Sequence, residues 1–464
     1  YETSLYQPVY SIVAKNSNSK EQGRFVSVIN DTLEKLVKDG INERTIEAGI
    51  NYYEFKYREA DYGPYPKGLM YYLTMMDSWL YDETKPFIHI EAGDTFDELK
   101  KDARNGYFEK LIKEYLLDNN HKSIISLVPE YGLEKEKEQK EADKLAEYKS
   151  TLTNDELEEL VSKTKELKEY QDAPSSQEEL EKIPMLELSD IKREPAKDYN
   201  DVKSVDGIKI VHHNIFTNKI AYINLSFDTK CVPDELIPYM GLLGSTLSLM
   251  DTKNYTYPEL TNEININCGG LATGTALYSD KVDFSKNTIV YEVKSKALYE
   301  KVPFVLGMME EIMYNTRFDD YKRLKEIIAR IKSRLEASLM GQGHSIAMLE
   351  CCAQFSESAY YSDILRGYKY YEFIKKLDEE FEQNKTQIVD KLNKLVGYIF
   401  NKDNVIVSLT ADDEGYDCFA KALSAKNCNI KDEHYNTAVR SFIPVNVKTG
   451  YTSASQVQYV ARCG

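Results

Sequence analysis

The sequence predicts an α+β protein built from repeated two-layer α/β sandwich domains joined by a helical hairpin. Three observations predict it. Short β-branched runs alternate with long stretches of helical period, the order strand, helices, strand is used twice, and one intervening segment is charged and thinly apolar. At 464 residues the chain can bury two or three separate cores.

Residues 1–128 form the first unit, read as the later part of a peptidase-like domain once the resemblance given below is taken into account. A strand is expected at 7–14, then a helix from Glu21 to Lys38 closed by Gly40. Asn42 is placed to cap a second helix carrying Ile46, Ile50, Tyr53 and Tyr57. Pro64, Pro66 and Gly68 interrupt it, and a third helix carries Leu69, Leu73, Met76 and Leu80. A fourth helix near 95–117 precedes a strand at 122–128.

Residues 129–204 differ in kind, holding over half of the net charge of −17. From Glu134 to Lys149 only Ala142, Leu145 and Ala146 form a stripe. Thr153-Asn154-Asp155-Glu156 is a capping box, which satisfies free N–H groups at the start of a new helix. That helix repeats Leu157, Leu160, Val161, Thr164 and Leu167 on one face. Pro174, Pro184 and Pro195 then punctuate an extended tether, so the segment reads as a hairpin linker.

Residues 205–445 form the next unit. Strands are expected at 207–215 and 219–228 around a tight turn at Thr217-Asn218, then helices at 233–250 and 257–267. Strands at 270–278 and 287–295 follow, with helices at 299–315, 319–340, 344–360 and 380–399, and a closing strand at 404–410. Residues 446–464 begin a further domain, with a strand expected after Gly450. An internal repeat fits this division. Sliding the first unit forward places Ile124-Ile125-Ser126-Leu127 on Ile406-Val407-Ser408-Leu409, and a slightly different offset places Gly63 on Gly341.

Composition narrows the partners. An excess of 76 acidic over 59 basic side chains repels a phosphate backbone and attracts cationic peptides, so no nucleic acid is expected. No apolar run approaches the roughly 18 residues of a membrane span, so no membrane partner is expected. Seven scattered cysteines without a Cys-x-x-Cys pair suit free thiols in a reducing compartment, the cytoplasm or an organellar matrix. The opening at Tyr1 reads as the middle of a longer product.

No His-Glu-x-x-His, no inverted His-x-x-Glu-His, no Gly-x-Ser-x-Gly elbow and no phosphate loop occurs. Gly341-Gln342-Gly343-His344 follows a helix and reads as a turn between helices. The histidines are His89, His121, His212, His213, His344 and His434. His212 and His213 are adjacent on a strand and point to opposite faces, which makes a shared metal difficult. His344 precedes Cys351 and Cys352, but a metal there needs a fourth donor that the sequence does not nominate. Gly269-Gly270, with Gly274 nearby, opens a strand, either for a tight turn into the sheet or for close approach of a bound peptide.

Several stretches together resemble the presequence-protease branch of the pitrilysin/insulinase-like zinc metallopeptidases. They are Tyr6-Gln7-Pro8-Val9, Glu54-Phe55-Lys56-Tyr57-Arg58-Glu59 with Gly68-Leu69, and Thr164-Lys165-Glu166-Leu167-Lys168. Ile183-Pro184 with Leu186, Leu188 and Asp190-Ile191 follows, then His213-Asn214 with Phe216-Thr217-Asn218. Cys268-Gly269-Gly270-Leu271 and Gln456-Val457-Gln458-Tyr459-Val460 complete a collinear order. The resemblance implies four α/β domains in two halves around a closed chamber, the hairpin joining the halves. It places zinc on the first domain and further substrate-binding groups on the last. This chain would then hold the later part of the second domain, the linker, the third domain and the start of the fourth.

The third domain would keep the helix that bears the zinc motif in relatives, with the three motif positions on Leu242, Ser245 and Thr246, just before Asp251-Thr252. Leucine cannot bind zinc and no glutamate remains to deprotonate a water. The expectation is therefore that no residue here is catalytic, cofactor-binding or metal-binding. Zinc belongs to the parent enzyme, and the partners are unstructured peptides and the missing N-terminal zinc domain and C-terminal domain of the same protein. The function expected is chamber wall and linker of a zinc metalloendopeptidase that degrades presequence-like peptides, with this chain alone inactive. The alternatives are a catalytically inactive scaffold or binding protein of the same fold, and a zinc-free subunit of a two-chain peptidase.

Overall fold

A computed structural model of the chain describes residues 1–2, 5, 7–15, 17–194, 197, 199–283, 286–425, 428–452 and 457–464. Tyr6, Pro195 and Gln456 lie outside the described residues. The chain divides into two compact units. One comprises Tyr1–Asn16, Asn30–Asn119 and Tyr199–Gly464, the other Ser17–Ile29 and Asn120–Asp198.

Helices dominate the first 128 residues: Gln22–Asp39 (α1), Glu43–Glu59 (α2), Lys67–Trp79 (α3), Gly93–Ala103 (α4) and Tyr107–Leu111 (α5), the last running on into a π-helical turn. Asn42 caps α2 by accepting from Thr45 N–H, as its position in the sequence requires. Residues 7–14 and 122–128 are not strands. Val9 makes one isolated bridge to Glu2, and 122–128 has no ladder partner among the described residues. Their β-branched composition favours extended backbone, but a strand takes its stability from a neighbour. Of the described residues in 1–128, only Ala48, Ile50 and Ala60 are buried.

Residues 120–198 carry Leu133–Thr151 (α6), Asn154–Asp172 (α7) and Gln177–Glu181 (α8). The capping box at Thr153 is fully formed, the hydroxyl accepting from Glu156 N–H and the Glu156 carboxylate accepting from Thr153 N–H. Ser176 and Glu179 repeat the device at α8. No residue of these helices is buried, consistent with the thin stripe of α6.

The main core lies in residues 199–430 and rests on one six-stranded sheet. Its strands are Asp201–Val205 (β1), Ile208–Asn214 (β2), Ile220–Asp228 (β3), Leu271–Ser279 (β4), Asn287–Leu298 (β5) and Val405–Ala411 (β6), in the spatial order β1-β2-β6-β3-β5-β4. The β2–β6 pair is parallel and the other four pairs are antiparallel. Strand β1 takes the place of the last part of the expected tether. It forms because Asp206-Gly207, with φ of 50° and 80°, makes a two-residue turn that folds β1 back on β2.

Burial alternates along the central strands, so the sheet has one apolar and one polar face. Ile210, Leu225, Val293, Val407 and Leu409 point to the apolar face and are fully excluded from water. Helices Ile237–Thr246 (α9), Tyr257–Asn267 (α10), Val302–Tyr314 (α11), Tyr321–Gly341 (α12), Gly343–Cys352 (α13), Glu357–Arg366 (α14), Tyr368–Glu379 (α15), Phe381–Ile399 (α16) and Asp413–Ser424 (α17) contribute the rest of this core. The single helix expected over 344–360 is two, because Ser356 caps a new start by accepting from Ala359 N–H. Helix α15 begins Tyr-Lys-Tyr-Tyr-Glu-Phe, a run of modest helix propensity, and is held by burial of Tyr370, Ile374 and Leu377.

Candidate functional site

Two places in the sheet domain bear on chemistry: helix α9, where zinc-bearing relatives are expected to carry their motif, and the polar face of the sheet. Helix α9 starts with Pro238 in its first turn, which fixes φ where no N–H partner is needed. Leu242 and Thr246, one turn apart, are both fully buried. Thr246 Oγ1 donates to Leu243 O at 3.0 Å and Ser245 Oγ to Gly241 O at 3.4 Å. The helix lies hard against β4. Thr273 Oγ1 donates to Gly244 O at 3.0 Å, and a Cβ on Gly244 would come within 3.2 Å of Gly274 Cα. Leucine offers zinc no electron pair, and the two hydroxyls already serve the helix backbone. These residues do not fit the metal. The following Asp251 is structural, accepting from Tyr257 N–H at 2.8 Å and pairing with Arg317.

On the polar face, charged and hydroxylated groups connect across the strands. Glu292 on β5 is 5% exposed and accepts from Asn224 Nδ2 on β3 at 2.8 Å, Tyr278 OH on β4 at 3.0 Å and Lys294 Nζ at 2.6 Å. Burial alone would raise its pKa, but these donors outweigh burial and hold it below the usual carboxylate value. Toward the other end of β5, Lys296 Nζ reaches both oxygens of Glu59 on α2, at 2.7 and 2.6 Å. Burial, together with the Glu59 carboxylate, pushes the neighbouring Tyr222 phenol well up.

His213 and Ser408 also meet on this face, with Nε2 and Oγ 3.1 Å apart. His213 Nδ1 lies 2.8 Å from Tyr199 O, which can only accept, so Nδ1 carries the proton and Nε2 accepts from Ser408. A serine bonded to a histidine is half of a nucleophilic site. The other half cannot form here: Ser408 sits mid-strand in β6, paired on both sides, so the strand's N–H groups serve the ladder and cannot hold an oxyanion. The pair therefore pins β2 to β6.

His212 points to the opposite, apolar face, as adjacency on a strand requires. It donates from Nε2 to Ala411 O at 3.0 Å, and Nδ1 accepts from Lys203 Nζ at 3.0 Å. His89 and His121 are exposed. His344 packs its ring 5.8 Å from Tyr459, and Cys463, which spacing does not connect to this helix, lies beside Cys351 and Cys352. His434, Asp403 and Asp432 gather at the surface, a grouping invisible in sequence because the Asn401–Lys431 bridge creates it. Gly269 donates to Lys296 O at 2.7 Å and sits under the Phe55 ring, which a Cβ would approach to 2.1 Å. The close approach at these glycines is thus made by α2, and Gly270, at φ 124°, turns the chain into β4.

A two-layer domain with a filled motif helix, preceded by a charged helical hairpin, defines a class: residues 127–377 match the model of the family described as associated with peptidase family M16, subfamily C, and the chain belongs to that family. Among curated relatives, it is 37% identical over 469 residues to Protein HypA of Clostridium perfringens, covering 100% of this chain and 47% of the relative. It is 27% identical to Presequence protease 1, chloroplastic/mitochondrial, of Arabidopsis thaliana, covering 99% of this chain and 43% of that protein. With the mitochondrial presequence protease of Yarrowia lipolytica the identity is 25%, over 85% of this chain and 39% of the relative. The chain is a presequence-protease-like member of the pitrilysin superfamily and spans about half the length of the curated relatives it matches. Among the described residues, no helix is long and apolar enough to cross a membrane.

Proposed function

We propose that this chain is the inner, non-catalytic part of a longer zinc metalloendopeptidase that degrades short unstructured peptides such as presequences. The observation that carries this reading is helix α9, whose motif positions Leu242 and Thr246 are packed into the core and offer no metal ligand. The fold element is kept while its chemistry is replaced by packing. What remains for the domain is containment: a rigid sheet that presents a polar face and excludes folded substrates by volume. Residues 1–128 support the same reading from another side. Their helices leave Tyr53, Tyr72, Leu73 and Trp79 exposed, an apolar surface suited to further domains of the parent protein.

In this proposal zinc, the general base and the transition-state groups belong to those other domains, and 129–204 serves as the linker between halves. The excess of acidic residues favours basic peptides by raising their concentration near the chamber. The test is cleavage by the intact parent of two unstructured peptides of equal length, one basic and one with every charge reversed. A kcat/KM at least several-fold higher for the basic peptide, and a difference that shrinks in high salt, is expected. Equal rates at low salt would remove the electrostatic part of the proposal.

A further inference from the structure

Residues 457–463 run along α13, and three of the seven cysteines meet there. The Tyr459 ring lies over Gly343 at the start of the helix, where an added Cβ would come within 2.7 Å of it. Toward the helix end, Cys351 Sγ lies 3.8 Å from Ala461 O, and Cys463 Sγ lies 3.8 Å from Met348 O. These reciprocal contacts set Cys463 within hydrogen-bonding reach of both Cys351 and Cys352. All three thiols are partly exposed, whereas Cys231, Cys268 and Cys428 are buried. Cys351 and Cys352 diverge by about 100° around the helix and cannot close on each other without breaking it. Cys463 can close on either.

We propose that Cys463 and the Cys351–Cys352 pair form a thiol–disulfide site, at which exchange with a small-molecule disulfide covalently ties residues 457–463 to α13. In the first step one thiolate attacks the small disulfide, forming a mixed disulfide and releasing one small thiol. In the second step the facing thiolate attacks the protein sulfur of that mixed disulfide, so the protein disulfide forms and a second small thiol leaves. Two protein thiols are oxidised and one small disulfide is reduced to two thiols, which balances the electrons. The thiols hydrogen-bond one another, Cys351 with Cys463 and Cys463 with Cys352, and both Cys351 and Cys463 are shifted up. Little thiolate is present at neutral pH, and proximity rather than acidity drives closure.

The test is to incubate the full 464-residue chain, natively folded, with glutathione disulfide at pH 7 and pH 9. Free thiols are then counted after acid quenching, and the cross-link is mapped by mass spectrometry. The expected result is loss of two of seven thiols, a peptide linking Cys463 to Cys351 or Cys352, and a rate that rises up to about tenfold per pH unit. Cys463→Ser should keep all six of its thiols, while Cys351→Ser and Cys352→Ser should each still cross-link through the other residue. Glutathione left attached at Cys463, seven thiols surviving at both pH values, or a cross-link that persists in Cys463→Ser would overturn the proposal. Circular dichroism of each variant separates loss of the site from loss of the fold.

Discussion

Glu292 shows how a single carboxylate can be held charged with almost no water around it. Asn224, Tyr278 and Lys294 donate to it from three strands, and together they outweigh the cost of burial. Its folded pKa lies below the unfolded value of about 4.3. The resulting stabilisation is therefore complete above the ordinary carboxylate range and is lost as pH falls through the folded value. Glu311, held by Asn254 and Asn315 against its own burial, acts in the same direction. Urea unfolding measured from pH 7 down to pH 3 should show stability falling with acid, and Glu292→Gln should flatten that slope. A slope unchanged in Glu292→Gln would mean that other carboxylates account for it. The Glu59–Lys296 pair makes a second prediction. Glu59 is 4% exposed and Lys296 29% exposed, so Lys296→Met strands a nearly buried charge. The expected loss is about 2–3 kcal/mol, discounted from the fully buried case for the exposed lysine. Glu59→Gln combined with Lys296→Met should recover part of it.

At the scale of elements, α9 against β4 is the contact on which the domain's loss of chemistry rests. Gly244 faces Gly274 across it, so Gly244→Val has no room and should destabilise by roughly 1–3 kcal/mol through displacement of the helix. Thermal unfolding checks this, and a Tm equal to the parent's would mean that the contact is looser than its geometry. Elements with strong local signals were legible in the sequence: Asn42 and Thr153 announce helix starts that the structure forms, and period-two runs mark β2, β3, β5 and β6. Elements that depend on partners were not. Residues 7–14 and 122–128 have strand composition without a neighbouring strand, and α15 is tyrosine-rich with its helix decided by burial. The turn Asp206-Gly207 carried a hairpin signal, but a linker boundary drawn through Ser204 hid β1. The thiol site and the His434 cluster join residues far apart in sequence, and spacing cannot reveal such pairings.

At the scale of the whole molecule, family membership rests on the match over residues 127–377, and the relatives named presequence protease point to peptides as substrates. The proposed division of labour assigns containment to this chain and catalysis to the remainder of the parent. It follows from the filled motif helix and from the exposed aromatic surface of residues 1–128. The most direct measurement is metal content by mass spectrometry on the purified chain, together with cleavage of a quenched fluorescent peptide with and without a chelator. The account predicts zinc far below one ion per chain and no chelator-sensitive cleavage. One tightly bound zinc per chain, with cleavage abolished by the chelator, would contradict it.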